Sequence, residues 1–364
     1  MPVHDPSVVD VGGALDPLFR RIIGVAAAVG MLVGTPATAC TRCMRTFADG
    51  AVIVGRSMDW EEDPGSEIWL FPRGMQRQGH AGPASIGWTS RFGSVVVSFY
   101  GVATVDGMNE EGLVANTLYL AESDYGASVA GRPNMSIACW AQYVLDNFAT
   151  VTEAVAALEK EPFTIVAPVL PNGRPGVGHL AISDPSGDSA IFEYVGGRLK
   201  IHHSRRYTVM TNSPPFDEQL ALNAYWSEIG GDVMLPGTIR ASDRFVRASF
   251  YIDAIPANLT GNRAVASVFS VIRNASAPLG ITTPGQPNVA STVWRTVHDQ
   301  KSRILYFDSA MSPTVFWIPL EELDFAAGAA VKRLPLKAGE TYSGDASGSL
   351  QAAQPFAFLQ ATPK

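Results

Sequence analysis

The stretch CTRCMRTFADGAVIVGRSMDW, Cys40 to Trp60, reads as two alternating segments around the turn residues Asp49 and Gly50. That pattern predicts an antiparallel hairpin. A hairpin returns its second strand beside the first, so Arg56 and Asp59 come back next to Cys40. The preceding residues give this geometry a meaning. Arg20 and Arg21 lead into the apolar run IIGVAAAVGMLVG, Ile22 to Gly34, which ends near the small residues Ala37, Thr38 and Ala39. Charged, apolar and small-x-small segments in that order mark an export signal. Cleavage after Ala39 makes Cys40 the first residue of the mature chain. The expected organisation is a signal peptide over 1–39 and one domain over 40–364, in the periplasm or secreted. No later apolar run is long enough to span a membrane.

A thiol attacks as thiolate, and free cysteine has a pKa of about 8.5, so it needs a base. The mature chain holds His80, His179, His202, His203 and His298, none in a cysteine-protease context. A first residue carries its own base, because an α-amine has a pKa of about 7.7–8.0 and sits beside its own side chain. In the hairpin, Arg56 would lower the thiol pKa and the Asp59 carboxylate would hold the amine. Other readings of Cys40 stay open from these residues alone. These are the head of a buried strand, a lipid carrier after signal removal, and a redox CxxC with Cys43. The third cysteine, Cys139, makes the count odd, so the chain is not a disulfide scaffold. No second cysteine or histidine pair follows at zinc spacing, and no metal or cofactor is expected.

Composition is that of a globular protein: 364 residues, 46% hydrophobic, 17% charged, with a net charge of −7. No basic run suggests a nucleic-acid partner. Strand-like runs occur at SEIWLFP, SVVVSFYGVATVDGMN, VGHLAISDPSGDSAIFEYVGGRLKIHH, RYTVMTN, STVWRTVHDQKSRILYFDSA and PTVFWIPL. NMSIACWAQYVLDNFA, FDEQLALNAYW and GNRAVASVFSVIRNAS read as helices, and Thr150 with Glu153 reads as a capping box. ASDRFVRASFY reads as a helix starting at Ser242 or Asp243, with Phe245, Val246, Ala248 and Phe250 inward. Many antiparallel strands around central helices predict an α+β layered fold.

The spacing of Cys40, Arg56 and Asp59, the string GRSMD, and the segments DGMNEEGLVANTLYL, MTNSPPFDEQL and ASDRFVRASFY together resemble the choloylglycine hydrolases. These include conjugated bile acid hydrolases and penicillin V acylases, and belong to the N-terminal-nucleophile hydrolases. The resemblance implies a four-layer αββα sandwich and hydrolysis of a linear amide in a small N-acyl substrate through a thioester. It implies Cys40 as nucleophile, Arg56 beside the thiol and Asp59 holding the amine. It further implies Asn212 as an oxyanion donor, Arg244 rather than Arg247 near the nucleophile, and assembly as a homotetramer. Tyr119 stands where bile salt hydrolases usually carry Asn, so a second oxyanion donor would be its backbone N–H. Trp60 and Tyr119 would then border an apolar acyl pocket. Penicillin V, acyl homoserine lactones and conjugated bile salts are the expected substrates. The non-enzymatic alternative is a lipid-anchored or binding protein on the same fold.

Overall fold

The computed structural model describes residues 40–230, 233–281, 290–337 and 339–363; the expected signal peptide over 1–39 lies outside them. The hairpin forms where its alternation places it. Thr41–Thr46 pairs antiparallel with Val52–Trp60, Thr41 opposite Ser57 and Arg42 opposite Arg56. Gly50 takes the turn at φ 81°, and Ala51 N–H donates to Asp49 Oδ1 at 2.9 Å. Asp supplies the side-chain acceptor and Gly the left-handed backbone, which is why this pair closes the turn.

The hairpin lies inside a seven-stranded sheet. Its spatial order is Val209–Met210, Thr41–Thr46, Val52–Trp60, Ser291–Asp299, Ile304–Ser309, Val315–Pro319 and Gly344–Asp345. A nine-stranded sheet faces it, in the order Arg198–His203, Ser189–Val195, His179–Ser183, Val114–Leu118, Ala103–Asn109, Ser94–Phe99, Ile68–Phe71, Lys332–Leu334 and Gln351–Ala352. Helices Ala241–Ala254 and Gly261–Ala275 pack on the first sheet, and Trp140–Asn147 and Val151–Leu158 on the second. The result is the four-layer αββα sandwich. Every residue of Val52–Trp60 and Ser94–Phe99 is buried, because these inner strands are covered on both faces. Gly55 lets a helix approach closely: a Cβ there would lie 2.6 Å from Ile272 Cγ1 and 2.8 Å from Val268 Cγ1.

Three local expectations need correction. Asn134–Ser136 is a strand paired with Thr164–Val166, so the following helix starts only at Ile137, as a 3-10 turn capped by Ser136. Helix Ala241–Ala254 begins before Ser242, and Asp243 instead accepts from the Thr238 N–H and hydroxyl. Phe250 is only half-buried; Ile252 takes the inward place on that helix. The capping box is present, with Glu153 N–H donating to Thr150 Oγ1 at 3.2 Å and Ala149 N–H to Glu153 Oε2 at 2.9 Å.

Candidate active site

Alternation divides the end of Val52–Trp60 into two faces. Arg56, Met58 and Trp60 point between the sheets, where Cys40 also lies. Ser57 and Asp59 point to the helix side, towards Arg244. Cys40 therefore has its side chain in one environment and its backbone in the other.

Between the sheets, Cys40 is 2% exposed. Its Sγ lies 3.8 Å from Asp59 O, 3.9 Å from Met58 Sδ and 4.0 Å from Arg56 Nη2. Arg56 is fully buried. Its Nη2 donates to Thr117 O at 3.0 Å and its guanidinium stacks 4.7 Å from the Trp294 ring centroid. Behind it, Asp106 lies 3.9 Å from Arg56 Nη1 and accepts from Asn116 at 2.8 Å and Thr296 at 3.1 Å, with His298 Nε2 at 2.7 Å. Burial alone would raise the Asp106 pKa, but His298, Arg56 and Thr296 hold it below its ordinary value.

On the helix side, Arg244 is buried and gathers the backbone of Cys40. Its Nη1 donates to Cys40 O at 2.6 Å and Thr41 Oγ1 at 2.5 Å, and its Nη2 to Asn212 Oδ1 at 3.1 Å. Asp59 lies 3.7 Å from Arg244 Nη1 and accepts from Thr292 Oγ1 and, at 3.4 Å, from Ser57 Oγ. Thr292 stands opposite Asp59 because a β-bulge at 292–294 shifts the register of Ser291–Asp299. Arg247 is turned away, donating to Pro236 O and Thr238 O at 2.7 and 2.8 Å.

Asn212 joins the two environments. Its Oδ1 accepts from Cys40 N, and its Nδ2 donates to Tyr119 O at 2.6 Å. Two donors on the oxygen and one acceptor on the nitrogen fix the amide's orientation. With Ala39 attached, Cys40 N is a peptide nitrogen, and its hydrogen bond goes to Asn212 rather than to Asp59. Gln219 Nε2 grips Asn212 O and, at 2.6 Å, Pro214 O. The helix Phe216–Glu228 that carries Gln219 is anchored by Glu193, which accepts from Phe216 N–H at 3.0 and 3.2 Å. Burial opposes ionisation of Glu193, but the hydrogen bond to His179 at 2.8 Å and the approach of His202 at 3.4 Å bring its pKa down to about 2.

Burial pushes the Cys40 thiol above its ordinary pKa, against the pull of Arg56 and Arg244. Burial also pushes Asp59 up to about 6, while Arg244, Thr292 and Ser57 pull it down. The sign for stability follows from that raised value. The contribution of Asp59 is full below its unfolded pKa near 4 and is lost as pH rises through about 6. Ionised Asp59 therefore does not stabilise the fold, and its charge bears on Arg244 and the Cys40 backbone.

The thiol opens into an apolar cavity between the sheets. Trp60, Phe99, Val105, Leu118, Ile137 and Leu170 give it apolar walls. Trp60 meets Phe99 edge-on at 5.2 Å and Tyr119 at a tilt at 5.8 Å, and its indole N–H donates to Tyr100 Oη at 2.8 Å. Cys43 and Cys139 are buried and free, away from this cavity. Among the described residues no group of three or more His, Cys, Asp or Glu is arranged to hold a metal.

The structure thus brings together Cys40, Arg56, Asp59, Trp60, Tyr119, Asn212 and Arg244. Sequence reasoning missed Thr292, Ser57, Gln219, Glu193 and the Asp106–His298 pair. Asp106 lay in a quoted motif, but nothing in that motif indicates that its carboxylate backs Arg56.

Residues 40–332 match the family described as linear amide C–N hydrolases, choloylglycine hydrolase family. The chain is 50% identical over 329 residues to penicillin V acylase of Pectobacterium atrosepticum, covering 84% of this chain and 88% of that protein. It superposes on penicillin V acylase from Agrobacterium tumefaciens with a TM-score of 0.83 at 57% identity, over 88% of this chain and 100% of that one. Conjugated bile acid hydrolase from Clostridium perfringens shares the fold, with a TM-score of 0.70 at 22% identity over 84% of this chain and 98% of that one.

Proposed function

The chain belongs to the choloylglycine hydrolase family of linear amide C–N hydrolases, and from that premise we propose that Cys40 is its nucleophile and N-acyl amides such as penicillin V its substrates. The observation that carries this reading is the double placement of Cys40. Its thiol heads an apolar cavity beside Arg56, while its backbone nitrogen sits on Asn212.

The reaction requires the Ala39–Cys40 bond to be cut, so that the peptide nitrogen becomes an amine. The free amine accepts the thiol proton as sulfur forms its bond to the amide carbon. Negative charge on the carbonyl oxygen is met by Asn212 Nδ2 and the Tyr119 N–H. The C–N bond then breaks, and the amine returns its proton to the departing nitrogen. Water, losing a proton to the same amine, cleaves the thioester and frees the acid and the thiol. Arg56 favours thiolate over thiol, and Arg244 holds the Cys40 carbonyl so that the amine keeps its place. Asp59 acts through Arg244 in this scheme.

The apolar cavity fits an aryloxyacyl or alkyl chain, and export with release of Met1–Ala39 provides the mature enzyme. A lipid on Cys40 fits poorly with a residue that is 2% exposed. Assembly as a homotetramer remains part of the proposal, and light scattering of the mature protein tests it. A hydrolysis panel over penicillin V, acyl homoserine lactones of graded chain length and glyco- or tauro-conjugated bile salts tests the substrate reading. We expect penicillin V to be cleaved with the highest kcat/KM; cleavage of none of the three classes refutes the proposal. The pH profile should fall on the acid side as the Cys40 amine takes a proton, with a further step near pH 6 as Asp59 takes a proton and its pairing with Arg244 weakens. Asp59→Asn should remove only that lower step and lower the plateau; an unchanged step assigns it to another group.

A further inference from the structure

The residue directly after Trp60 has no place in the chemistry above, yet it connects the catalytic strand to the cavity's far wall. Glu61 Oε1 accepts from Asn172 Nδ2 at 2.8 Å, and Glu61 Oε2 accepts from Arg174 Nη2 at 2.6 Å. Both partners lie at the tip of the loop over 167–177. That loop is a small hairpin with its own bonds. Leu170 N–H donates to Arg174 O at 2.8 Å, Gly173 N–H to Leu170 O at 2.8 Å and Gly176 N–H to Pro168 O at 2.7 Å. Arg174 N–H donates to Asn172 Oδ1 at 3.2 Å. Such a loop moves as one piece or not at all.

The base of the loop is fixed independently. Tyr125 Oη bonds Gly178 N and Gly178 O at 2.9 and 2.8 Å. Beyond that clamp, one side of the hairpin is wet and the other lines the site: Val169 is 69% exposed, while Pro168, Leu170, Gly176 and Val177 line the Cys40 cavity. The Arg174 guanidinium also lies 5.8 Å from the Trp60 ring centroid. The loop tip is therefore held over the cavity by both oxygens of one carboxylate, itself one residue from the cavity wall Trp60.

We infer that Glu61, through Asn172 and Arg174, is a specificity-determining positioning residue: it latches the 167–177 hairpin at one distance from Trp60 and so sets the size of acyl group the cavity accepts. This rests on the reading that the cavity at Cys40 takes the acyl group. The latch is weak by construction. Arg174 and Glu61 are 21% and 30% exposed, and a partly exposed ion pair is screened by salt. A bulky acyl group is excluded while the latch holds and admitted when it opens. The cost to substrates that already fit is small.

The test uses the mature enzyme and a series of N-acyl homoserine lactones from short to long chains, with penicillin V as the aryloxyacyl reference. Glu61→Gln should raise kcat/KM for the longest chains relative to penicillin V by roughly two- to fivefold, the scale of such a pair. The change should appear in KM, with kcat for penicillin V unaltered. Arg174→Gln should give the same shift, and the double variant no more than either single one. In the wild type, molar salt should move the chain-length profile the same way, and in Glu61→Gln it should move it little. If wild-type enzyme hydrolyses the series but both variants keep its profile, or lose activity equally on all chains, the inference fails. If wild-type enzyme hydrolyses nothing in the series or the reference, it is the acyl-pocket reading that fails.

Discussion

Cys40→Ala is expected to lower kcat for amide hydrolysis by about 10⁴-fold or more while leaving the fold in place. Removing the nucleophile of a covalent mechanism leaves only binding and the oxyanion donors, and losses of that order follow. Stability should change little, because the side chain is small and one wall of its site is the cavity itself. The thiol's nearest neighbours are the soft contacts to Met58 Sδ and Asp59 O, so no strong hydrogen bond is lost with it. The comparison needs kcat on penicillin V together with a urea unfolding midpoint. Activity within tenfold of wild type in Cys40→Ala would exclude a thioester route. Loss of activity with a collapsed midpoint would show that the residue holds the fold, and Cys40→Ser then separates the two effects.

Asn212→Ala carries the second large effect. In the proposed reaction the amide supplies one donor to the developing oxyanion, and such a donor is worth about 10²- to 10³-fold in kcat. Here the loss has a further component. Asn212 Oδ1 also accepts from Cys40 N and Arg244 Nη2, so its removal frees the Cys40 nitrogen. We therefore expect a fall in kcat at the upper end of that range with KM changed far less. Asn212→Asp separates the roles, since it keeps an acceptor for Cys40 N and removes the donor. If Asn212→Asp retains wild-type kcat, the oxyanion role is wrong. If Asn212→Ala raises KM alone, the residue binds substrate in the ground state instead.

The hairpin was the most legible part of the chain. Asp49-Gly50 needs no tertiary context to turn, and alternation on either side sets which residues return beside Cys40. The site's outer members were not legible for a physical reason. Thr292 lies 233 positions from Asp59, and it reaches the carboxylate only because a bulge shifts the register of its strand. A threonine in STVWRTV is otherwise an ordinary strand residue. The choice of Arg244 over Arg247 shows a related limit. Both lie on one helix three residues apart, and periodicity cannot say which one has buried acceptors waiting. Arg244 meets Cys40 O and Asn212 Oδ1, whereas Arg247 meets carbonyls of the preceding loop. The family resemblance made that choice, and spacing alone did not. Asn134–Ser136 was misread as helix because its partner strand, Thr164–Val166, comes after two intervening helices. Local propensity yields there to a pairing that only the folded chain supplies.

The same reasoning explains why Glu61 escaped notice. An exposed acid after a tryptophan looks like a solvated strand end, and its partners lie more than a hundred residues away. Only their convergence on both carboxylate oxygens gives it a role.

Most directly, the account is tested by the intact mass of the exported, active protein, measured before and immediately after acid-quenched exposure to penicillin V. It predicts a chain that starts at an unmodified Cys40. After exposure, a fraction should be heavier by one phenoxyacetyl group, mapped to the Cys40 sulfur. An active protein that retains Met1–Ala39, a diacylglyceryl mass on Cys40, or an acyl group on any other residue would contradict it.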